Sequence, residues 1–226
     1  MPPRTELMSP ALERALRWAA VAHRGQVRKG VDTPYFQHLA AVAMILDRLG
    51  FDEDVVIAGL LHDVVEDAEV HLREVRERFG RVVAELVAAC SEQKTTAEGQ
   101  KRPWSDRKRD HLEALAGATV EARAVVLADK LHNLLSISCD LSDGRQVWSI
   151  FNAGRADVVW YYRTTIERLG TGDPRLESLA GHCARLLAEI EGFAEPPAQG
   201  PAGTGLGEPG GPSGLAENRE TRPPDR

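Results

Sequence analysis

The sequence contains few cysteines, no long apolar run and no surplus of positive charge. Its three cysteines, Cys90, Cys139 and Cys183, lie far apart and form no C-x-x-C pair, which argues against a disulfide framework or a thiolate metal site. No apolar run is long enough to span a membrane, and the N-terminus M-P-P-R-T-E-L-M-S-P lacks the apolar core of a secretory signal. A formal net charge of −6 argues against nucleic acid polymers and membranes as partners. We therefore expect a cytoplasmic protein that binds a small molecule, and the sequence makes no prediction of its oligomeric state.

Strand-like alternation is missing as well, and composition divides the chain into segments. Residues 9–194 show helical periodicity almost throughout, whereas residues 195–226 begin E-P-P-A-Q-G-P-A-G-T-G and are rich in proline and glycine. A segment so poor in large apolar residues cannot bury enough surface to offset its ordering entropy, so we predict a disordered tail at 195–226. We predict a flexible N-terminus at 1–8 and one all-α domain at 9–194, an orthogonal bundle of eight or nine helices.

Helix boundaries follow from capping residues and from the spacing of apolar residues. Ser9 followed by Pro10 is a typical helix start, Gly25 and Gly50 are typical ends, and Asp52 is a candidate N-cap. The run V-V-I-A-G-L-L-H-D-V-V after Asp52 is apolar nearly all round, which predicts a central helix. Further helices are predicted at about 35–49, 71–79, 81–90, 106–116, 119–140, 147–169 and 174–193.

Four titratable residues interrupt the apolar pattern of the predicted central helix. They are His62, Asp63, Glu66 and Asp67, and burying even one carboxylate without a partner costs several kcal/mol. Because His62 and Glu66 are four residues apart, as are Asp63 and Asp67, each pair shares a strip of a helix and all four groups can face a common cleft. A divalent cation there would neutralise the buried charge and accept imidazole and carboxylate ligands.

Two more residues complete a candidate ligand set. His38 lies on the inner face of the helix that contains P-Y-F-Q-H-L-A-A-V-A, and Asp129 lies within A-V-V-L-A-D-K-L-H-N-L-L. Taken singly, a histidine on an apolar face is usually a satisfied core residue, and a buried aspartate usually caps or pairs. The combination of His38, the His62-Asp63 pair and Asp129 on three core helices is much less expected by chance. Two histidines and two carboxylates suit manganese, iron or another first-row ion.

Three stretches of the sequence resemble the hydrolase domain of the RelA/SpoT alarmone enzymes, which are HD-type phosphohydrolases. They are A-H-R-G-Q-V-R-K-G-V-D-T-P-Y-F-Q-H, A-G-L-L-H-D-V-V-E-D and A-D-K-L-H-N-L, within about residues 10–170. The chain looks most similar to the small stand-alone hydrolases related to the metazoan SpoT homologue. The resemblance implies a fold of the HD-domain type, one manganese ion, and removal of the 3′-pyrophosphate from guanosine tetra- or pentaphosphate. Nothing after Ala194 resembles the synthetase domain of the long enzymes, so we expect hydrolysis without synthesis.

The resemblance also implies roles for individual residues. The implied metal ligands are His38, His62, Asp63 and Asp129. The implied acids that position or activate the attacking water are Glu66 and Asp67. The implied contacts to the nucleotide are Arg28, Lys29, Asn133, Lys94, Lys101, Arg107 and Tyr161.

Several of the implied nucleotide contacts have ordinary structural alternatives. An Arg28-Lys29 pair by itself is typical of a solvated surface turn. The basic residues between Lys94 and Arg107 fit either a loop that closes over a polyphosphate or a solvated loop and helix start. Tyr161, within V-V-W-Y-Y-R, has a spacing that is more common for aromatic residues of a core.

Two other functions are compatible with the same residues. A phosphatase of the same fold that acts on NADPH or another nucleotide would need the same acids. A nucleotide-binding regulator without turnover would need no water-activating acids, so Glu66 and Asp67 argue against it. The sequence therefore favours an enzyme, a metal-dependent phosphohydrolase, with a nucleotide as its substrate.

Overall fold

The computed structural model describes residues 8–68, 70–96, 98–151 and 153–193. In this part of the chain the fold is all-α, as predicted, with no β-strand and only isolated bridges at Val27–Pro34 and Thr95–Lys101. The predictions for residues 1–7 and 195–226 lie outside the described residues. None of the helices described here is long and apolar enough to cross a membrane. The elements are α1 (Pro10–Ala22), α2 (Phe36–Arg48), α3 (Glu53–Leu61), α4 (Val64–Asp67), α5 (Leu72–Cys90), α6 (Trp104–Ala116), α7 (Val120–Ser142), a 3-10 helix (Val147–Ile150), α8 (Arg155–Leu169) and α9 (Pro174–Gly192).

Capping residues and one glycine explain several of the helix boundaries. The Ser9 hydroxyl accepts a hydrogen bond from a backbone amide of α1 at 3.0 Å, and the Thr119 hydroxyl does the same for α7 at 3.3 Å. Asp52 occupies the N-cap position of α3, but its side chain makes no capping hydrogen bond. Gly80, with φ 90°, breaks α5 at the boundary between the two helices predicted there.

α3 is the central helix of the bundle, as its apolar sequence predicts. All residues from Val55 to Leu61 are buried, and the helix packs against α1, α2, α5 and α7. The two helices pack closely at Gly59, where an added Cβ atom would lie 2.3 Å from Cδ1 of Leu46 in α2. A larger residue at this position would force the buried Leu46 side chain to move.

Two predicted helices are interrupted in the structure. The central helix ends at Leu61, and the short α4 begins after His62 and Asp63. The helix predicted at 147–169 is divided into the 3-10 helix and α8, with Gly154 in extended conformation at the N-cap of α8. Glycine has a low helix propensity in a helix interior but is tolerated at an N-cap. Gly154 therefore favours the start of a new helix.

α7 connects two parts of the core. Its first half belongs to the main apolar cluster with α2, α3 and α5, and its second half packs in a separate cluster with the 3-10 helix, α8 and α9. Asp129 lies near the middle of α7, beside α2 and the turn between α3 and α4. The polar residues of the predicted site therefore meet where these three segments converge.

Candidate metal centre

Two imidazoles and two carboxylates converge at the junction of α2, α7 and the α3–α4 turn. Nε2 of His38 lies 3.2 Å from Oδ1 of Asp129 and 3.7 Å from Oδ2 of Asp63. Nε2 of His62 lies 3.0 Å from Oδ2 of Asp63 and 3.8 Å from Oδ1 of Asp129. Both histidines are buried, and the potential ligand atoms of His38, His62 and Asp129 all lie within 4.8 Å of one another. All four residues predicted as ligands are thus brought together.

His62 is oriented by the backbone of the helix that precedes it. Its Nδ1 lies 2.8 Å from the carbonyl oxygen of Gly59, so Nδ1 carries a proton and, in the neutral imidazole, the lone pair is on Nε2. That contact gives the Gly59 carbonyl a side-chain donor in the last turn of α3. The expectation of one uninterrupted central helix is wrong, since α3 ends at Leu61 and α4 begins at Val64, and Nε2 of His62 faces Asp63 and Asp129.

His38 is oriented by a chain of side-chain contacts. Its Nδ1 lies 2.8 Å from Nδ1 of His132, and Nε2 of His132 lies 3.2 Å from the Gln37 amide. The Gln37 amide nitrogen donates to Nε2 of His132, so neutral His132 carries its proton on Nδ1 and donates to Nδ1 of His38, whose own proton on Nε2 faces Asp129. To offer the lone pair of Nε2 to a cation, His38 would move its proton to Nδ1 and donate to His132, and the Gln37 amide would turn its oxygen towards the Nε2–H of His132. Burial lowers the pKa of His38, which favours the neutral imidazole that a metal needs.

Both carboxylates also accept hydrogen bonds from neighbouring side chains. The Tyr35 hydroxyl donates to Oδ2 of Asp63 at 2.6 Å. Lys130 Nζ and Asn133 Nδ2 donate to the two oxygens of Asp129, each at 2.5 Å. Burial alone would raise the pKa of Asp129, but Lys130 and the two imidazoles hold it well below its usual range. Both acids are therefore ionised, and Tyr35, whose pKa is raised by burial and by Asp63, stays a neutral donor.

The donor set fits a divalent first-row cation. Nε2 of His62 is buried and forms no aligned hydrogen bond within the described part of the chain, although Oδ2 of Asp63 lies 3.0 Å away, so the two atoms could share one ion. Burial opposes a charge on His62, yet Asp63 and then Asp129 raise its pKa to about 9. In the metal-free protein a proton on His62 thus offsets part of the charge of the two carboxylates. A divalent ion would supply that positive charge and use both kinds of ligand.

The predicted catalytic acids lie side by side on α4 but face different spaces. Oε1 of Glu66 accepts a hydrogen bond from the Glu92 amide at 2.6 Å, and Lys94 Nζ lies 2.9 Å from both Oε2 of Glu66 and Oδ1 of Asp67. Glu66 borders a chamber of about 120 Å³ together with His62, Asp63 and Asp129. Asp67 borders a separate, larger cavity. Lys94, predicted as a nucleotide contact, therefore pairs with both acids.

The larger cavity has a volume of about 660 Å³ and lies beside the metal centre. Arg28, Lys29 and Asn133 border it, so these three predicted nucleotide contacts are brought together. The Arg28 guanidinium donates to Oδ1 of Asn133 at 2.8 Å, and Asn133 donates to Asp129. A continuous chain of hydrogen bonds thus links the basic wall of the cavity to a candidate ligand.

The other predicted nucleotide contacts do not border the larger cavity. Lys101 lies on the surface and forms an isolated bridge with Thr95. Arg107 lies 3.3 Å from Oε2 of Glu92. Tyr161 is buried, packs edge-on against Trp104, and lies beneath Lys108 and Lys130. The contacts of Tyr161 are those of a core aromatic residue, while Lys108 reaches both the chamber and the cavity.

Sequence reasoning did not select Tyr35, His132 or Lys130 as site residues. Tyr35 precedes His38 by three residues and Lys130 follows Asp129 directly, so proximity in sequence was an available signal for both. His132 follows Asp129 by three residues, on nearly the same face of α7. Their partners across the site depend on how α2 and α7 pack, which the spacing alone does not specify.

A comparison with protein families identifies the domain. The model of the HD domain matches residues 15–158, and the chain belongs to the HD-domain family. The chloroplast protein named probable GTP diphosphokinase RSH3 of Arabidopsis thaliana is 36% identical over 126 residues, which are 55% of this chain and 18% of that protein. The chain therefore spans less than a fifth of the length of that plant relative.

Smaller relatives match over most of their length. The guanosine-3′,5′-bis(diphosphate) 3′-pyrophosphohydrolase MESH1 of Drosophila melanogaster is 36% identical over 132 residues, which are 57% of this chain and 70% of that protein. A solved structure described as a metazoan orthologue of SpoT that hydrolyses ppGpp is 28% identical, with a TM-score of 0.67. The match covers 80% of this chain and 97% of that one.

Proposed function

We propose that this chain is a metal-dependent phosphohydrolase that removes the 3′-pyrophosphate from guanosine tetraphosphate, with manganese as its ion. The observation that carries the proposal is the convergence of His38, His62, Asp63 and Asp129 beside Glu66, next to a cavity large enough for a nucleotide. The printed activity of the Drosophila relative supports the choice of substrate. Two imidazole and two carboxylate ligands suit manganese among the first-row ions.

The four converging residues would hold the ion, which when bound supplies Lewis acidity that lowers the pKa of water and polarises a phosphoryl oxygen. Glu66 is the proposed general base, because its carboxylate borders the same chamber as His62 and Asp63. The Glu92 amide and Lys94 fix both oxygens of Glu66, so its position is set before substrate arrives. Asp67, paired with the same lysine, is the second proposed acid and faces the nucleotide side.

The proposed reaction breaks the bond between phosphorus and the 3′-oxygen of the nucleoside. The oxygen of water bonds to that phosphorus, its proton passes to Glu66, and the 3′-oxygen leaves as a hydroxyl after taking up a proton. The products are GDP and pyrophosphate. Phosphoryl transfer depends mainly on positioning and charge neutralisation, which Arg28 and Lys29 supply at the cavity wall.

The proposal is tested with purified protein, manganese and guanosine tetraphosphate. We expect stoichiometric GDP and pyrophosphate, with both lost in Asp63→Asn and Glu66→Gln. Glu85→Gln is the matched control, because Glu85 is an exposed residue of α5 that pairs with Arg81, and it should retain full activity. An intact guanosine substrate with hydrolysis of NADPH or another nucleotide would point to a phosphatase of different specificity. Tight nucleotide binding without any product would instead point to a regulator.

A further inference from the structure

One face of α7 spans the larger cavity, starting at the candidate metal centre. Asp129, Asn133, Ser136 and Asp140 follow one another at intervals of three or four residues and therefore share that face. Asn133, Ser136 and Asp140 border the cavity. At ~1.5 Å per residue, Asp140 lies about 16 Å farther along the helix axis than Asp129. This span accommodates a nucleoside whose 3′-phosphate is at the metal and whose base points towards Asp140.

Part of the wall of this cavity is apolar. Gly30 lies directly against the 3-10 helix, because a Cβ atom added to it would be 3.2 Å from Cγ2 of Ile150. The loop that contains Arg28 and Lys29 therefore closes against the apolar wall. A planar base, whose faces are apolar and whose edge is polar, fits such a space. The aliphatic residues and the phenylalanine that border the cavity are Val31, Leu135, Ile137, Val147, Ile150 and Phe151.

Asp140 places an oriented carboxylate at the end of this apolar space. Its Oδ1 accepts a hydrogen bond from the Arg145 guanidinium at 3.0 Å, and the Arg145 amide donates to the Asp140 carbonyl at 2.9 Å. Among the described residues, Asp67 is the other carboxylate that borders the cavity, and it forms an ion pair with Lys94. Oδ2 of Asp140 has no hydrogen-bond partner in the described ranges, and the side chain is 22% exposed.

The pair of Asp140 and Arg145 complements one base in particular. Guanine presents a carbonyl acceptor and two N–H donors along its pairing edge, whereas adenine presents one donor and one acceptor. A carboxylate accepts two N–H groups side by side, and a guanidinium donates to a carbonyl. We propose that Asp140, held in place by Arg145, selects guanine over adenine in this cavity. This assignment rests on the proposed function and adds the residue that determines the base.

The test compares hydrolysis of guanosine and adenosine 3′,5′-bis(diphosphate) by the manganese-loaded protein. A well-aligned bidentate contact discriminates between bases by about 1–3 kcal/mol, so Asp140→Ala should reduce the guanosine-to-adenosine ratio of kcat/KM by roughly 5- to 150-fold. The loss should fall on the guanosine substrate. Asp140→Asn should also raise kcat/KM for the adenosine substrate, because a carboxamide offers the donor and acceptor that match adenine.

Asp143→Asn is the matched control for the loss of one charge near Arg145. Asp143 lies 3.9 Å from Arg145 with a 64% exposed side chain, and it does not border the cavity among the residues described. The guanosine-to-adenosine ratio of kcat/KM in Asp143→Asn should equal that of the wild type. If both Asp140 variants cleave the two substrates in the wild-type ratio, the role of Asp140 is overturned while the proposed hydrolase function stands.

A binding measurement separates the two proposals if neither substrate is cleaved. In that case the proposed function fails, and calorimetric titration with GDP and ADP tests base selection without turnover. A GDP-to-ADP affinity ratio that falls in Asp140→Ala and falls further in Asp140→Asn would support the role of Asp140. An unchanged ratio in both variants would overturn it.

Discussion

The imidazoles of His38 and His132 face each other through their Nδ1 atoms at 2.8 Å. Such a contact holds one proton, so the tautomer of His38 depends on that of His132. Burial and the neighbouring His38 lower the pKa of His132 to about 4, so His132 is neutral at pH 7. When the Nδ1–H of His38 donates to His132, the lone pair of His38 Nε2 is available to a metal.

Replacing His132 with alanine should weaken metal binding without removing a ligand. Loss of a residue that orients a metal ligand typically costs roughly 10- to 100-fold in affinity. Competition of a fluorescent chelator for manganese measures the change. His182→Ala is the control, since His182 is exposed and bonds to the Ser178 carbonyl within α9. Equal affinities in the wild type and His132→Ala would show that His132 does not orient the ligand.

Manganese should stabilise the folded protein, because the ion offsets the charge of two buried carboxylates. At free manganese of about 100 times its Kd, the free energy of unfolding should rise by about 2.7 kcal/mol. His62→Ala should abolish this gain, since it removes the buried nitrogen that faces both carboxylates. Thermal unfolding with and without a chelator measures the effect. Calcium, which prefers oxygen ligands, should give a smaller shift, and an equal shift would argue against imidazole ligation.

Lys94→Gln distinguishes positioning of the catalytic acids from contact with the substrate. Lys94 bridges Glu66 and Asp67 at 2.9 Å, so its loss should misplace the base and lower kcat by roughly 10- to 100-fold, part of what general-base catalysis contributes. KM should change little, and Lys94→Arg should restore most of the rate. Steady-state kinetics on guanosine tetraphosphate decide the point. A raised KM with unchanged kcat would favour the nucleotide contact that the family resemblance implies.

The candidate ligand set could be predicted from the sequence because it depends on local pattern. Burying a polar group in an apolar helix is costly unless the group has a partner. His38, the His62-Asp63 pair and Asp129 interrupt apolar patterns and therefore indicate a site. The helices follow from the same periodicity, including the break at Gly80. What periodicity missed is the end of α3 at Leu61, where the His62 imidazole donates to the Gly59 carbonyl.

Contacts between distant segments were not accessible from spacing. The hydroxyl of Tyr35 reaches Asp63 only because α2 packs against α3. Lys94 was predicted to meet a nucleotide, yet it pairs with the two acids of α4 because the chain after α5 returns to that helix. Residue spacing predicts neither the Tyr35–Asp63 contact nor the contacts of Lys94, because both depend on how complete helices and loops pack.

Gly59→Ala should destabilise the fold even though alanine is the better helix former. The added Cβ would lie 2.3 Å from Leu46, and overpacking of this kind typically costs about 1–3 kcal/mol. Gly181→Ala is the matched control, because Gly181 lies within α9 and its Cβ would meet nothing closer than 3.9 Å. That change should stabilise by roughly 0.5–1 kcal/mol. Urea unfolding measures both, and a stabilised Gly59→Ala protein would contradict the close contact of α2 and α3.

Asp173 should make the stability of α9 depend on pH in the acid range. Its side chain accepts hydrogen bonds from the amide and the guanidinium of Arg175 at 2.8 and 2.9 Å, and the guanidinium and amide bonds lower its pKa from 3.8 to about 2. A depressed pKa means that the stabilisation is present above about pH 4 and is lost as the pH falls towards 2.

Asp173→Ala should therefore lower Tm at pH 7, and its deficit relative to the wild type should shrink between pH 4 and pH 2. Asp173→Asn keeps an uncharged cap, so its Tm difference from Asp173→Ala should stay constant over that range. A wild-type advantage over Asp173→Ala that is equal at both ends of the range would rule out the carboxylate as its source.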